Sequence, residues 1–302
     1  MTSSSLSKEP IGKVKIPSWW LLSIWSLALF LLAIIFREAA ENLYYNVSRD
    51  NSYYSHSILV PFLSVFFVWS QRKRLSELPK TPTNWGYVVL AFSCSLVILG
   101  ELLGFRIFSQ LAIIPLLASI GLIFFGVRHV CYLWFPLVFL LFMIPLPESL
   151  TTGITFRVKL MAAEGAVWLS NLVYLPMVRD GSYIHIGDDR LLIGDVCGGM
   201  RSLISLMALG AIMSYISETR DYARVLVLLI AGPIAILSNL LRIFFLCVVA
   251  YFWDSSMATG WVHDLSGILV YALALSLLIG VEVLLRKVAP IGKQATTESS
   301  DV

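Results

Sequence analysis

Apolar residues in this chain come in long, nearly unbroken runs, and the polar residues collect in short intervals between them. Residues 19–36 form the first run, long enough to cross a bilayer at roughly 1.5 Å of rise per residue. The charged residues that follow, Arg37, Glu38 and Glu41, make a poor signal-peptidase site, so a retained helix is predicted. Further spans are predicted over 58–70, 86–104, 107–125 and 130–146, the last stopped by Pro145 and Pro147. Residues 147–195 break the pattern. Over 151–175 apolar residues recur at helical spacing with Arg157, Lys159 and Glu164 between them, which predicts a helix lying in the membrane interface. Over 177–193 the pattern alternates around Gly187, Asp188 and Asp189, which predicts a small hairpin. Three more spans follow, over 196–216, 225–252 and from just after His263 to 285; the seventh is interrupted by Gly232 and Pro233 and carries Ser238, Asn239 and Arg242.

The fold class expected is therefore an all-α polytopic membrane protein of about eight transmembrane helices, with a small external interfacial helix and hairpin. Composition agrees: 58% of residues are hydrophobic and 14% charged, outside the range of soluble domains. The domain division is a tail over 1–18, one transmembrane domain over 19–286 and a tail over 287–302. Eight spans put both termini on one side, and basic residues indicate which. With the termini inside, Lys and Arg outside the spans divide as 13 cytoplasmic (8, 13, 15, 72, 73, 74, 80, 128, 220, 224, 286, 287, 293) against seven external (37, 49, 106, 157, 159, 179, 190). Four of the seven fall in the long 147–195 segment, which counts little in the positive-inside rule, so cytoplasmic termini are expected.

Chemistry enters at Gly194-Asp195-Val196-Cys197-Gly198-Gly199-Met200-Arg201. With Asp195 as N-cap of the sixth span, Cys197 falls in its first turn, where unpaired N–H groups and the helix dipole favour a thiolate. Arg201, four residues on, adds positive charge to the same face. The paired glycines allow another backbone close to the sulfur, which a packing cysteine does not need. Cys94, Cys131 and Cys247 lie in apolar runs as packing residues; no CxxC pair, HExxH or Gly-rich phosphate loop occurs, so no metal and no cofactor is expected, and nothing points to nucleic acid.

In the expected topology Cys197 opens the sixth span and His263 the eighth on the same external side, with Arg242 in the outer half of the seventh. A Cys–His pair provides a thiolate and an acid for the leaving amine. An intramembrane arginine is costly and stays charged, so it points either to a role on a thiolate, oxyanion or carboxylate, or to a structural partner such as Asp254 or Glu101. Trp19, Trp20, Trp253 and Trp261 read as interfacial belts.

At these residues the sequence resembles the exosortase/archaeosortase family of membrane cysteine transpeptidases. The matching pieces are Tyr54-Ser55-His56-Ser57 leading to Val60-Pro61 and the basic stop Arg72-Lys73-Arg74; Val196-Cys197-Gly198-Gly199-Met200-Arg201-Ser202; Pro233 through Ser238-Asn239-Leu240-Leu241-Arg242; and His263 before the last span. They run in family order over about residues 53–285. The resemblance implies Cys197 as nucleophile, His263 as general acid/base and Arg242 as stabiliser of the thiolate or oxyanion, with Arg201, Asn239 and His56 supporting. It further implies a multi-pass protein of the bacterial inner membrane, its active site facing the periplasm. Such an enzyme would cut exported, membrane-anchored proteins at a C-terminal signal such as Pro-Glu-Pro and pass the acyl group to an acceptor, beside membrane lipids and components of exopolysaccharide assembly. Two departures, Gly198 after the cysteine and Ser57 after the early histidine, bear on which signal is recognised. The competing reading from another class is a polysaccharide or anion transporter, or a scaffold of an export system; it requires a polar pathway across several spans, and Arg242, Asn239 and Glu101 stand nearly alone.

Overall fold

The computed structural model describes residues 36–37, 41, 44, 55–187, 189–193, 199–253 and 261–289, without the side chains of Ser55, His56 and Asp264. The 1–18 tail, most of the first expected span and most of the 287–302 tail lie outside the described residues.

The described chain is mostly helical. A 3-10 turn (Ser55–Ile58) leads into α1 (Leu59–Ser70) and the basic α2 (Arg72–Glu77). Then come α3 (Trp85–Leu103), α4 (Arg106–Leu111) and α5 (Ile113–Phe124). Gly104 ends α3 in the left-handed region (φ 69°), the turn that only a residue without a Cβ makes at no steric cost. It folds α4 and α5 back along α3, where the buried Ser93 hydroxyl donates to the Ala112 carbonyl (2.6 Å).

The span expected over 130–146 is broken into α6 (Val127–Tyr132), α7 (Trp134–Phe139) and a 3-10 turn (Leu140–Met143). Pro136 has no N–H for the Tyr132 carbonyl, and the α-helix breaks at Leu133. The chain then bends by 80° into α8 (Glu148–Leu172).

The membrane-crossing candidates are four: Trp85–Leu103, Arg106–Phe124, Asp221–Phe252 and Trp261–Val288, with the bent pair Trp134–Met143 and Glu148–Leu172 as a fifth. Leu59–Ser70 and Met200–Ile216 are apolar but shorter. Eight separate spans are therefore not what the described residues display.

The helix expected in the interface is α8, and its stripe is buried against protein. Thr151, Thr155, Val158, Lys159, Ala162, Ala163, Ala166 and Ser170 form the buried face. The alanines join Ile243, Leu246, Cys247, Val249 and Ala250 in one core cluster, and a Cβ on Gly165 would collide with Leu240. Small residues at one-turn spacing let two backbones approach, the pattern of a helix–helix contact. Arg157 and Glu164 remain exposed, but Lys159 is 8% exposed.

The expected hairpin is present and longer than anticipated. Strands β1 (Met177–Asp180), β2 (Tyr183–Ile186) and β3 (Asp189–Leu192) form an antiparallel meander. Asp189 pairs with Ile186 across the Gly187 turn, and Asp180 with Tyr183 across Gly181 and Ser182. Alternation puts Met177, Ile184, Ile186 and Leu191 into the cluster already named.

After the meander come α9 (Met200–Ile216), α10 (Asp221–Phe252) and α11 (Trp261–Val288), packed together as the central bundle. Leu206, Val227, Ala231, Ala235, Ala274 and Leu278 make its core. The meander covers one end of this bundle, since its apolar face meets Ile243 to Ala250 of α10 and Val262 of α11. At the other end Glu282, 6% exposed, accepts from the Ser217 hydroxyl (2.9 Å) and from Arg286 (2.9 Å), while the Arg220 amide bonds the Ala289 carbonyl.

Candidate functional site

Helix α9 begins later than the sequence suggests. Its N-cap is Gly199 in the left-handed region (φ 72°), and the Gly199 carbonyl accepts the first helical bond from the Leu203 N–H (2.9 Å) and another from the Ser202 hydroxyl (2.9 Å). Asp195 is therefore not the N-cap of this helix, and Cys197 precedes it by three residues. Asp195 and Cys197 lie outside the described residues. Arg201 is exposed in the first turn of α9.

Gly199 ties this segment to α10. A Cβ on it would lie 2.7 Å from both Cγ and Nδ2 of Asn239, so the backbone runs directly over that amide. Asn239 is 3% exposed. Arg242 is one turn further along the same helix, and residues three apart share a face.

Arg242 reaches α11. Its Nη2 donates to the His263 carbonyl (3.0 Å) and lies 3.2 Å from Nε2 of the His263 ring, while Nε faces the Ser266 hydroxyl at 3.4 Å. Ser266 Oγ in turn donates to the His263 carbonyl (2.7 Å). A guanidinium only donates, so Nε2 of His263 is the acceptor and the ring proton belongs on Nδ1. Gly267 leaves room for this arrangement: a Cβ there would sit 3.2 Å from Arg242 Nη2. The cost of a cation at this depth is thus offset by a carbonyl, an imidazole nitrogen and a hydroxyl from one helical turn.

Of the residues singled out from the sequence, Arg242 and His263 touch, and Asn239 joins them to Gly199, two residues past Cys197. His56 stands in the 3-10 turn held by Ser57, whose hydroxyl bonds the Phe142 carbonyl (3.3 Å); its side chain is outside the described set. Of the two structural partners considered for Arg242, Glu101 accepts from Ser109 instead (3.2 Å) and Asp254 lies outside the described residues. Cys247 is buried in the α8–α10 cluster as expected, Cys94 is half-buried, and Cys131 is exposed on the helix surface.

Sequence reasoning missed Ser266, Gly267 and the burial of Lys159. The signal for the first two was their position: Ser266 and Gly267 lie three and four residues after His263, on its own helical face.

A family model described as transmembrane exosortase matches residues 45–280. No curated protein and no solved structure matches the chain.

Proposed function

This chain belongs to the transmembrane exosortase family, and from that premise we propose that it is a membrane-embedded cysteine protease and transpeptidase. Cys197 is the nucleophile, His263 the general acid/base and Arg242 the fixed cation that orients the imidazole and counters negative charge at the reacting centre. Cys197 passes its thiol proton to His263 and the thiolate adds to the scissile carbonyl; the tetrahedral intermediate collapses to a thioester as the leaving amine takes that proton from His263; an acceptor nucleophile then gives its proton to His263 and displaces the Cys197 thiolate. The substrates are exported proteins anchored by a C-terminal helix behind a signal such as Pro-Glu-Pro, and the acceptors belong to surface or exopolysaccharide assembly. The termini are cytoplasmic and the site faces the periplasm of the inner membrane, the side on which exported proteins arrive.

One observation carries this reading. Arg242 and His263, 21 residues apart in sequence, are bonded at 3.2 Å, and Asn239, one turn from Arg242, lies against Gly199, two positions after Cys197 in sequence.

The test is processing of a co-expressed membrane substrate bearing a Pro-Glu-Pro tail. Cys197→Ser is expected to abolish the mature product at normal membrane levels. Arg242→Ala is expected to reduce it by about 10²- to 10³-fold, the effect of removing one preorganised charge-stabilising donor. Unchanged processing by Cys197→Ser would remove the nucleophile and the reading with it.

A further inference from the structure

The Arg242–His263 contact depends on two neighbours for which a thiol mechanism alone has no use. Arg242 is held at three places on one turn of α11: the His263 carbonyl, the His263 ring and the Ser266 hydroxyl. Ser266 is 2% exposed and bridges two of them, accepting from Arg242 Nε and donating to the His263 carbonyl. Without its oxygen the guanidinium keeps its Nη2 bonds to His263 but loses the Nε bond that restrains rotation about the Cδ–Nε axis. Gly267 completes the cradle, since any Cβ at that position would press on the guanidinium at 3.2 Å.

We propose that Ser266, with the close approach that Gly267 permits, is a positioning residue that aims Arg242 Nη2 at His263 Nε2 and so holds the imidazole as its Nδ1–H tautomer. Arg242 caps Nε2, and the lone pair on that nitrogen is the one through which the neutral ring takes up a proton. In the neutral ring Nδ1 holds the proton; the pair available to accept a further proton is on Nε2, and taking it up displaces Arg242. Ser266 therefore acts through Arg242, setting how firmly Nε2 is capped, and does not itself touch substrate.

The tautomer is measurable directly. The chain has four histidines, so ¹⁵N-histidine labelling of the purified full-length protein gives few ring resonances, and the set lost in His263→Gln assigns His263. At mildly alkaline pH wild type is expected to show His263 protonated on Nδ1. Ser266→Ala is expected to mix in the Nε2–H form and to lower kcat for the Pro-Glu-Pro substrate roughly tenfold at unchanged KM, the scale of one hydrogen bond to a charged group. Gly267→Ala, which leaves the Ser266 hydroxyl in place, is expected to shift the tautomer in the same direction. An Nε2–H ring in wild type overturns the proposal. So does a wild-type tautomer and kcat per folded molecule in Ser266→Ala, even if less folded protein is recovered. The kcat arm rests on the thiol-enzyme reading above and the spectroscopic arm does not: an active Cys197→Ser with an Nδ1–H ring would sink that reading and leave the positioning intact.

Discussion

Gly199 is the residue on which the site's geometry most depends. It combines a left-handed φ of 72° with a contact that admits no side chain, because Asn239 stands 2.7 Å from the place a Cβ would take. An L-residue in that conformation costs roughly 1–2 kcal/mol before any clash. Gly199→Ala is therefore expected to push residue 199 away from Asn239 of α10. Substrate processing should fall at least tenfold, and the alkylation rate of Cys197 should change, while α9, whose bonds begin at the Gly199 carbonyl, stays folded. Alkylation and processing both at wild-type levels would contradict the close approach. The glycine pair reads in the sequence as room for another backbone beside the sulfur, and the structure shows Gly199 meeting the Asn239 side chain. That partner was not legible, because Gly199 and Asn239 are 40 positions apart and nothing in local patterning records a contact of that range.

Among the elements, α8 decides whether the functional helix has a rigid back. Its buried face is built from Ala162, Ala163 and Ala166, with Gly165 against Leu240. Ala163 is fully buried in this seam. Ala163→Leu adds three carbons to a fully buried position, and is expected to cost about 1–3 kcal/mol by overpacking. Thermal unfolding in detergent measures it; an unaltered midpoint would mean that α8 lies on α10 more loosely than the structure shows. The sequence pattern of α8 reads as a helix, and the structure packs its small-residue face on α10. Charged residues interleaved with apolar ones suit an interface, but the same spacing with small residues on one face suits a helix packed on another, and only the partner surface of α10 distinguishes them. The meander was legible for a simpler reason: period-two alternation and turn glycines are local signals, so the β2–β3 hairpin was predicted, and β1 joined through the Gly181-Ser182 turn that had been overlooked.

In the whole molecule, the two ends of the central bundle do different work. One end carries the meander, Arg242 and His263. The other is closed by Glu282, which gathers Ser217 and Arg286, while Arg224 caps the Ser217 carbonyl (3.0 Å). Arg286 is half exposed, so its ion pair adds little. Losing the carboxylate would instead leave the buried Ser217 and Thr219 hydroxyls with one acceptor fewer. Glu282→Ala is expected to lower stability by about 1–3 kcal/mol. It should leave the cleavage rate per folded molecule unchanged, because it acts at the end of α11 remote from His263. A rate loss without a stability loss would show that the two ends are coupled.

The sequence by itself determined that this is a helical, multi-pass membrane protein and which residues were candidates for chemistry, since bilayer thickness imposes long apolar runs and a charge such as Arg242 cannot persist there without a reason. It also determined the family, through short pieces in fixed order. The tertiary structure alone decided that α9 starts at Gly199, that α8 packs on α10, and that Arg242 spends its donors on His263 and Ser266. Those outcomes depend on which surfaces meet and on hydrogen bonds between residues more than twenty positions apart, and such pairings are chosen by the packed whole.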